Sequence, residues 1–257
     1  HGTDIFFATR SKWKRFIARH IFSNAETVVS GSIFLKNVIE QKIGKISPPI
    51  EVLYPIPAQF NPISNEESER LRSHMGIQGK KICLSSARFV KGKGFDTLLR
   101  AFRILADKKH HVVLLLLGDG PERESLASAV HQLGLQQYVR FVGNVPHGEL
   151  GPYLAMADIY VQLPEKIDGR EEGFGLSFAE ASTAALPSVG TRIGGIPEII
   201  EDGITGFLVP EKNPDAAAEA LEILLNDEEL RKAYGSAAKS HAEIFSLYYQ
   251  QNILNRL

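Results

Sequence analysis

Glu172 and Glu180 stand eight residues apart in the run Glu171-Glu172-Gly173-Phe174-Gly175-Leu176-Ser177-Phe178-Ala179-Glu180-Ala181. Gly173 and Gly175 suit a tight turn, and the residues from Leu176 onward read as the start of a helix. Glu172 then belongs to the loop and Glu180 to the early turns of the helix. A loop-to-helix junction presents free backbone N–H groups and the positive end of a helix dipole, a natural seat for a phosphate. Two carboxylates beside such a seat repel the phosphate unless each is engaged elsewhere. A carboxylate accepts hydrogen bonds and donates none, so vicinal hydroxyls of a ribose and a hexose are suitable partners. The chemistry indicated is a pocket for a sugar joined to a nucleotide through phosphate.

Arg88 and Lys93 flank a second glycine-bearing loop, Arg88-Phe89-Val90-Lys91-Gly92-Lys93-Gly94. A guanidinium and an ammonium together can neutralise a diphosphate, and fixed cations there stabilise the charge that builds on a leaving phosphate. The plainer alternative is a solvated basic turn. Gly118-Asp119-Gly120 invites a dinucleotide-binding reading, but Arg123 occupies the position of the third glycine. That loop is then a close backbone approach to a base, or a simple turn. The two glutamates could also be the acid and nucleophile of a glycosidase. A hydrolase has no use for a cationic phosphate cradle, which argues for transfer. His1 in His1-Gly2-Thr3-Asp4 is either chemically active or the end of a strand. The remaining histidines, including His110, His111 and His147, lack metal-ligand spacing, so no structural metal is expected.

The elements that must position these residues alternate. Residues 1–54 predict an amphipathic helix over 9–22, a strand over 26–30, a helix over 32–43 and a strand over 50–54. Pro55, Pro57 and Pro62 mark 55–65 as a linker. Strand-like runs then fall at 81–87, 112–117, 138–142, 158–162, 187–190 and 206–209. Helical patterns fall at 95–108, 121–133, 147–156, 176–184, 197–201, 216–225 and 228–243. Continuous apolar strands alternating with helices predict a parallel sheet covered on both faces. Each candidate loop follows a strand, so all gather at the sheet's carboxyl rim, where open α/β sheets bind ligands. The last stretch, 245–257, carries two tyrosines and four aliphatics and is expected to pack.

The chain of 257 residues has room for one or two domains with ample core. A net charge of −1 gives no global electrostatic reason for binding nucleic acid. The single cysteine, Cys83, has no disulfide partner within the chain and lies in an apolar run, which suits burial in a reducing compartment. No apolar run approaches the roughly 20 residues needed to span a bilayer. The chain opens on His1 as though inside a domain. Residues 10–22 place Arg10, Lys12, Lys14, Arg15 and Arg19 beside Trp13, Phe16, Ile17 and Ile21 at helical spacing. Such a helix can lie on an anionic membrane as a peripheral contact. Alternatively it buries its apolar face on its own sheet, and the flanking strands favour that second reading.

Taken in order, the motifs resemble those of the retaining nucleotide-sugar glycosyltransferases of family 4, the group 1 glycosyltransferases of GT-B fold. The likeness rests on the opening His-Gly-x-Asp, the Arg88/Lys93 pair and Gly118-Asp119-Gly120-Pro121. It continues through Phe141-Val142-Gly143, the Glu-x7-Glu run at 172–180, Gly194-Gly195-Ile196-Pro197-Glu198 and Thr205-Gly206-Phe207-Leu208-Val209-Pro210. The resemblance implies an α/β architecture of two Rossmann-like, doubly wound parallel-sheet lobes, the first only partly present. Residues 1–62 would be the second part of the acceptor-side lobe and 63–244 the donor-binding domain. Residues 245–257 would cross back to the first lobe.

By position, Arg88 and Lys93 would hold the donor diphosphate. Glu172, with the backbone of Gly173, Phe174, Gly175 and Leu176, would bind donor-sugar hydroxyls, and Glu180 the ribose. His1 would face the anomeric centre. Gly118, Asp119, Asn144 and Val145 would frame the nucleotide. Members of that family work without metal or other cofactor and retain anomeric configuration. Two departures stand out. Ala185 replaces the usual glycine after the signature helix, where a left-handed backbone would cost alanine about 1 kcal/mol. The family's Pro-Asn-Gly entry to the linker is also replaced around Pro55–Ala58.

The resulting expectation is a cytoplasmic hexosyltransferase, at work in carbohydrate biosynthesis and able to sit at the inner face of a membrane. It would pass a sugar from a nucleoside diphosphate to a hydroxyl of a lipid, polysaccharide or small molecule. The rivals are an epimerase of the same fold and a non-catalytic nucleotide-sugar-binding relic. No residue in the sequence separates UDP from GDP or ADP.

Overall fold

The computed structural model describes residues 5–6, 8–60 and 63–255. The described part begins with helix α1 (Lys12–Ser23), strand β1 (Val28–Ser30), helix α2 (Ile33–Ile43) and strand β2 (Ile50–Val52). β1 and β2 pair in parallel as a two-stranded sheet, and Val28, Leu35, Val38, Ile39, Ile43 and Ile50 close over it as a small core. Ser32 opens α2 by accepting the Leu35 N–H on its hydroxyl, a cap for an otherwise orphaned donor.

Helix α3 (Asn65–His74) follows, where the sequence reading placed the end of a linker and no helix. None of its residues is buried, so it lacks the apolar stripe that announces a packed helix. Its signal is local. Ser64 accepts the Glu67 N–H, and Ser-x-x-Glu is the sequence of a capping box.

The larger lobe is built on six parallel strands: β3 (Lys81–Ser86), β4 (Val112–Leu117), β5 (Val139–Gly143), β6 (Ile159–Val161), β7 (Ser188–Thr191) and β8 (Gly206–Val209). Their spatial order is β5-β4-β3-β6-β7-β8, all neighbours parallel. Every residue of β4 is buried, as a strand covered on both faces must be. One apolar cluster joins this sheet to α4 (Phe95–Asp107), α5 (Arg123–Gln132) and α8 (Pro214–Asn226). A second covers the other face with α6 (Gly151–Met156) and α7 (Leu176–Thr183), reaching Phe245 beyond α9 (Glu228–Ala242). Chain order reverses between β3 and β6, whose register pairs Cys83 with Ile159 and Leu84 with Tyr160. The crevice beyond the carboxyl ends of those two strands is where such a sheet holds its ligand.

Several expectations change. The helix expected over 147–156 is a 3₁₀ turn, His147–Glu149, followed by α6, because Pro152 has no N–H to continue a helix and suits a fresh first turn. The helix expected over 197–201 is the short turn Ile196–Glu198. Helix α1 does not bury its apolar face on its own sheet. Ala18 is its one buried residue, while Trp13, Phe16 and Ile21 are 71%, 70% and 59% exposed. The last stretch packs through Phe245, which is fully buried, and through Gln250 of the final helix α10 (Leu247–Leu254), whose Oε1 accepts the Tyr54 N–H at 3.1 Å, while Tyr248 and Tyr249 face outward. His1 and Pro62 lie outside the described residues.

Candidate active site

The two strands that flank the reversal carry the two main loops. After β3 the backbone turns through Arg88–Gly94 into α4, and Gly94 takes a left-handed conformation (φ 71°). A Cβ there would lie 1.5 Å from the Leu163 carbonyl oxygen, so only glycine lets this loop touch the chain leaving β6. That departing chain runs to Glu172. The Lys93 ammonium meets the Glu172 carboxylate at 2.7 Å between Nζ and Oε2, both side chains largely shielded from solvent.

The loop before α7 is held from the other side by Gly194 and Gly195. The Gly195 N–H donates to the Glu172 carbonyl (2.9 Å), and the Gly194 N–H donates to the Glu171 carboxylate (3.1 Å). A Cβ on Gly194 would stand 1.9 Å from the Glu172 carbonyl oxygen. The Gly-Gly-Ile-Pro-Glu motif thus seats the backbone of Glu172 and Gly173. Gly175 (φ 100°) opens α7, and Leu176 begins it in an exposed position.

Arg88, Gly118, Asp119, Asn144 and Val145 line one cleft of about 460 Å³, together with Ser86, Ala87, Leu117, His147 and Leu150. Gly118 donates its N–H to the Gly143 carbonyl, and the Phe89 N–H donates to the Asp119 carbonyl, which ties the three rim loops together. Glu180, buried on α7, reaches this cleft through His147, whose Nε2 lies 2.6 Å from Glu180 Oε1. Tyr160, fully buried, donates its hydroxyl to the Ser86 carbonyl at 3.1 Å and packs edge-on against Phe178 of α7. Burial above all pushes the Tyr160 hydroxyl above its ordinary pKa, and the charges of Glu180 and Glu172 add to the shift.

The structure brings Arg88, Gly118, Asp119, Asn144 and Val145 together around the cleft, and Lys93 together with Glu172. Phe174 sends its ring elsewhere, to Tyr54 (5.5 Å) and Phe245 (5.2 Å) at the junction with the first lobe. Two residues not singled out for the site occupy central positions. His147 was read only as a histidine without metal-ligand spacing, and its contact with Glu180 spans 33 residues. Glu198 was read as part of a motif, and it reaches the first lobe. Among the described residues no group of three His, Cys, Asp or Glu side chains is disposed to hold a metal ion, and no helix is long and apolar enough to cross a membrane.

A six-stranded parallel sheet with one reversal, a cationic loop and two carboxylates at its switch point, and a part-sheet packed against that rim define a two-lobed Rossmann-like protein of the GT-B type. Residues 67–241 match the family described as Glycosyl transferases group 1, and the chain belongs to that family. A GDP-mannose-dependent alpha-(1-6)-phosphatidylinositol monomannoside mannosyltransferase of Mycobacterium tuberculosis is 33% identical over 185 residues, covering 70% of this chain and 47% of that protein. The N-acetyl-alpha-D-glucosaminyl L-malate synthase of Bacillus anthracis is 28% identical over 257 residues, covering all of this chain and 64% of its own length. The chain thus spans about half to two thirds of these relatives. In shape it is similar to Anabaena HepE, solved in complex with UDP and glucose, at a TM-score of 0.82 and 21% identity, covering 96% of this chain and 67% of that one. That likeness shows the fold.

Proposed function

We propose that the protein transfers a hexosyl group from a nucleoside diphosphate sugar to a hydroxyl acceptor, with retention of anomeric configuration and without a metal. The observation that carries this reading is the meeting of Lys93 Nζ and Glu172 Oε2 at 2.7 Å across the switch point, beside the cleft lined by Arg88. An ammonium placed there can receive a diphosphate oxygen, and the carboxylate then has its lone pairs for sugar hydroxyls. On this reading Glu180 accepts from the ribose, and Asn144 and Val145 border the base. In the reaction the acceptor oxygen bonds to the anomeric carbon on the face from which the diphosphate departs. The carbon–oxygen bond to phosphate breaks with its electron pair on the phosphate oxygen, and the acceptor's proton goes to that phosphate. Arg88 and Lys93 supply positive charge where negative charge grows, which supports transfer without a metal.

The mycobacterial relative is named for a GDP-sugar and HepE was solved with UDP, so a nucleoside diphosphate is the supported class of donor. A thermal-shift panel of UDP, GDP and ADP and their hexose conjugates tests the reading. At least one should raise the melting temperature of the wild type, since a ligand bound only by the folded state stabilises it. Glu180→Ala should fold normally and lose most of that shift. A panel without any shift, or an undiminished shift in the variant, would count against the assignment.

A further inference from the structure

Among the described residues three buried side-chain polar atoms have no hydrogen-bond partner: Ser85 Oγ, Ser188 Oγ and Gln162 Nε2. The two serines belong to β3 and β7. Gln162 stands at the carboxyl rim, directly after the last residue of β6, and is 2% exposed. Its Nε2 carries two N–H groups, and a buried N–H without an acceptor is costly enough to need a cause. The place of this amide supplies one. The β3–β6 register pairs Leu84 with Tyr160, and carrying it on by two residues sets Gln162 level with Ser86, which lines the cleft. The other end of the amide, Oε1, accepts the Ser177 hydroxyl proton at 3.1 Å. Ser177 is partly exposed in the first turn of α7, three residues before Glu180. Residues three apart are neighbours on one side of a helix, so this hydroxyl lies on the side from which Glu180 meets His147 in the cleft.

We propose that the Ser177 hydroxyl binds the donor diphosphate and that Gln162 is the positioning residue beneath it. In the arrangement seen, the serine proton goes to Gln162 Oε1. A phosphate oxygen carries charge and is the stronger acceptor. The hydroxyl turns its proton to that oxygen, and the Gln162 amide turns over so that Nε2 donates to Ser177 Oγ. The two ends of an amide are nearly the same size, so the exchange needs no extra room. It gives the buried N–H an acceptor, and two hydrogen bonds in series strengthen one another. Ser177 falls between Glu172 and Glu180 in the chain, as the diphosphate falls between sugar and ribose in the donor. The inference rests on that proposed reading and adds an uncharged donor to the cations Arg88 and Lys93.

The wild type, Ser177→Ala, Gln162→Met and the double variant are titrated by calorimetry with whichever of UDP, GDP and ADP binds the wild type most tightly. Ser177→Ala, at a partly exposed helical position, should fold normally and bind roughly tenfold more weakly. Gln162→Met keeps an unbranched side chain of similar length without the amide. It should weaken binding several-fold where Ser177 is present and add nothing where alanine replaces it, because its whole effect passes through the serine. Gln162→Leu serves as a second apolar replacement, and the same cycle is expected of it. Wild-type affinity in Ser177→Ala overturns the inference and leaves the proposed donor class standing. So does an effect of Gln162→Met, or the lack of one, that is the same with and without the serine hydroxyl, since a purely structural amide would behave in that way. Failure of all three nucleotides to bind the wild type overturns the proposed function, and this inference with it.

Discussion

Glu198 grips Phe34 across the two lobes. Its Oε1 accepts the Phe34 N–H at 2.7 Å while Oε2 accepts the neighbouring Ile33 N–H at 2.8 Å, so one carboxylate satisfies two orphan donors at the start of α2. The charge also faces the positive end of that helix. Beside it, the Ser32 hydroxyl donates to the Gly173 carbonyl at 2.6 Å, in the loop that carries Glu172. Tyr54 completes the junction. Burial, and then the charge of Glu198, push its hydroxyl above the ordinary tyrosine pKa, which keeps it protonated.

Removing the grip should loosen the lobes without disturbing the larger sheet. Glu198→Ala leaves two helix N–H groups without a protein acceptor and is expected to cost about 1–3 kcal/mol. Scanning calorimetry should show a loss of several degrees, and Glu198→Gln, which keeps one acceptor oxygen, should lose about half as much. Equal melting temperatures for all three proteins would show that the contact contributes nothing to stability.

Much of this architecture was legible in the sequence because strand burial is a local property. Val112–Leu117 is six apolar residues in a row, the length and make-up of a strand covered on both faces. The rim loops were legible for the same reason, since each glycine turn follows such a run. Helix α3 was missed because it buries nothing, leaving the Ser64/Glu67 cap as its only mark. Helix α1 was misread because periodicity reveals an apolar face and says nothing of what it faces. The partners of the site residues lay further off still. Ser32–Gly173 and Glu198–Phe34 span 141 and 164 residues, and no spacing rule joins residues so far apart.

Lys93 and Glu172 touch, and on the proposed reading they serve different parts of one donor. Their effects on donor binding should therefore not add. Lys93→Ala and Glu172→Ala are each expected to weaken nucleotide-sugar binding, and the double variant should be less damaged than the sum. A coupling of about 0.5–3 kcal/mol is the usual range for residues in contact. Calorimetric titration of the four proteins gives the cycle. Strict additivity would mean that the contact has no part in recognising the donor.

Ala185 holds a left-handed backbone (φ 57°) at the end of α7. The Ala185 N–H donates to the Ser182 carbonyl and the Leu186 N–H to the Ala181 carbonyl, the paired closure for which glycine is the usual residue. Alanine here bears a steric cost of about 1–2 kcal/mol. Ala185→Gly removes it and adds unfolded-chain entropy of about 0.4–1 kcal/mol, so a net gain near 0.5 kcal/mol is expected. The melting temperature should rise by about 1–2 °C. Ala184→Gly, one residue earlier at φ −85°, should lower it instead. A fall in both variants would show that the strain is absent.

His147 stands more than half exposed at the mouth of the cleft, and it holds a carboxylate that is not. The imidazole itself is little buried, so the stability lost on removing it is that of leaving the Glu180 carboxylate without its partner, about 1–3 kcal/mol. On the proposed reading its effect should appear in recognition, since Glu180 without its partner is free to turn away from where that reading puts the ribose. His147→Ala is expected to raise the KM for the nucleotide sugar by roughly fivefold to thirtyfold, about 1–2 kcal/mol, with kcat little changed. His147→Gln, whose amide can still donate to Glu180, should recover part of the loss. Steady-state kinetics with varied donor separates the outcomes. A collapse of kcat at constant KM would mean that the imidazole acts on the reacting atoms, and an unchanged KM with unchanged kcat would mean that Glu180 needs no help to stay in place.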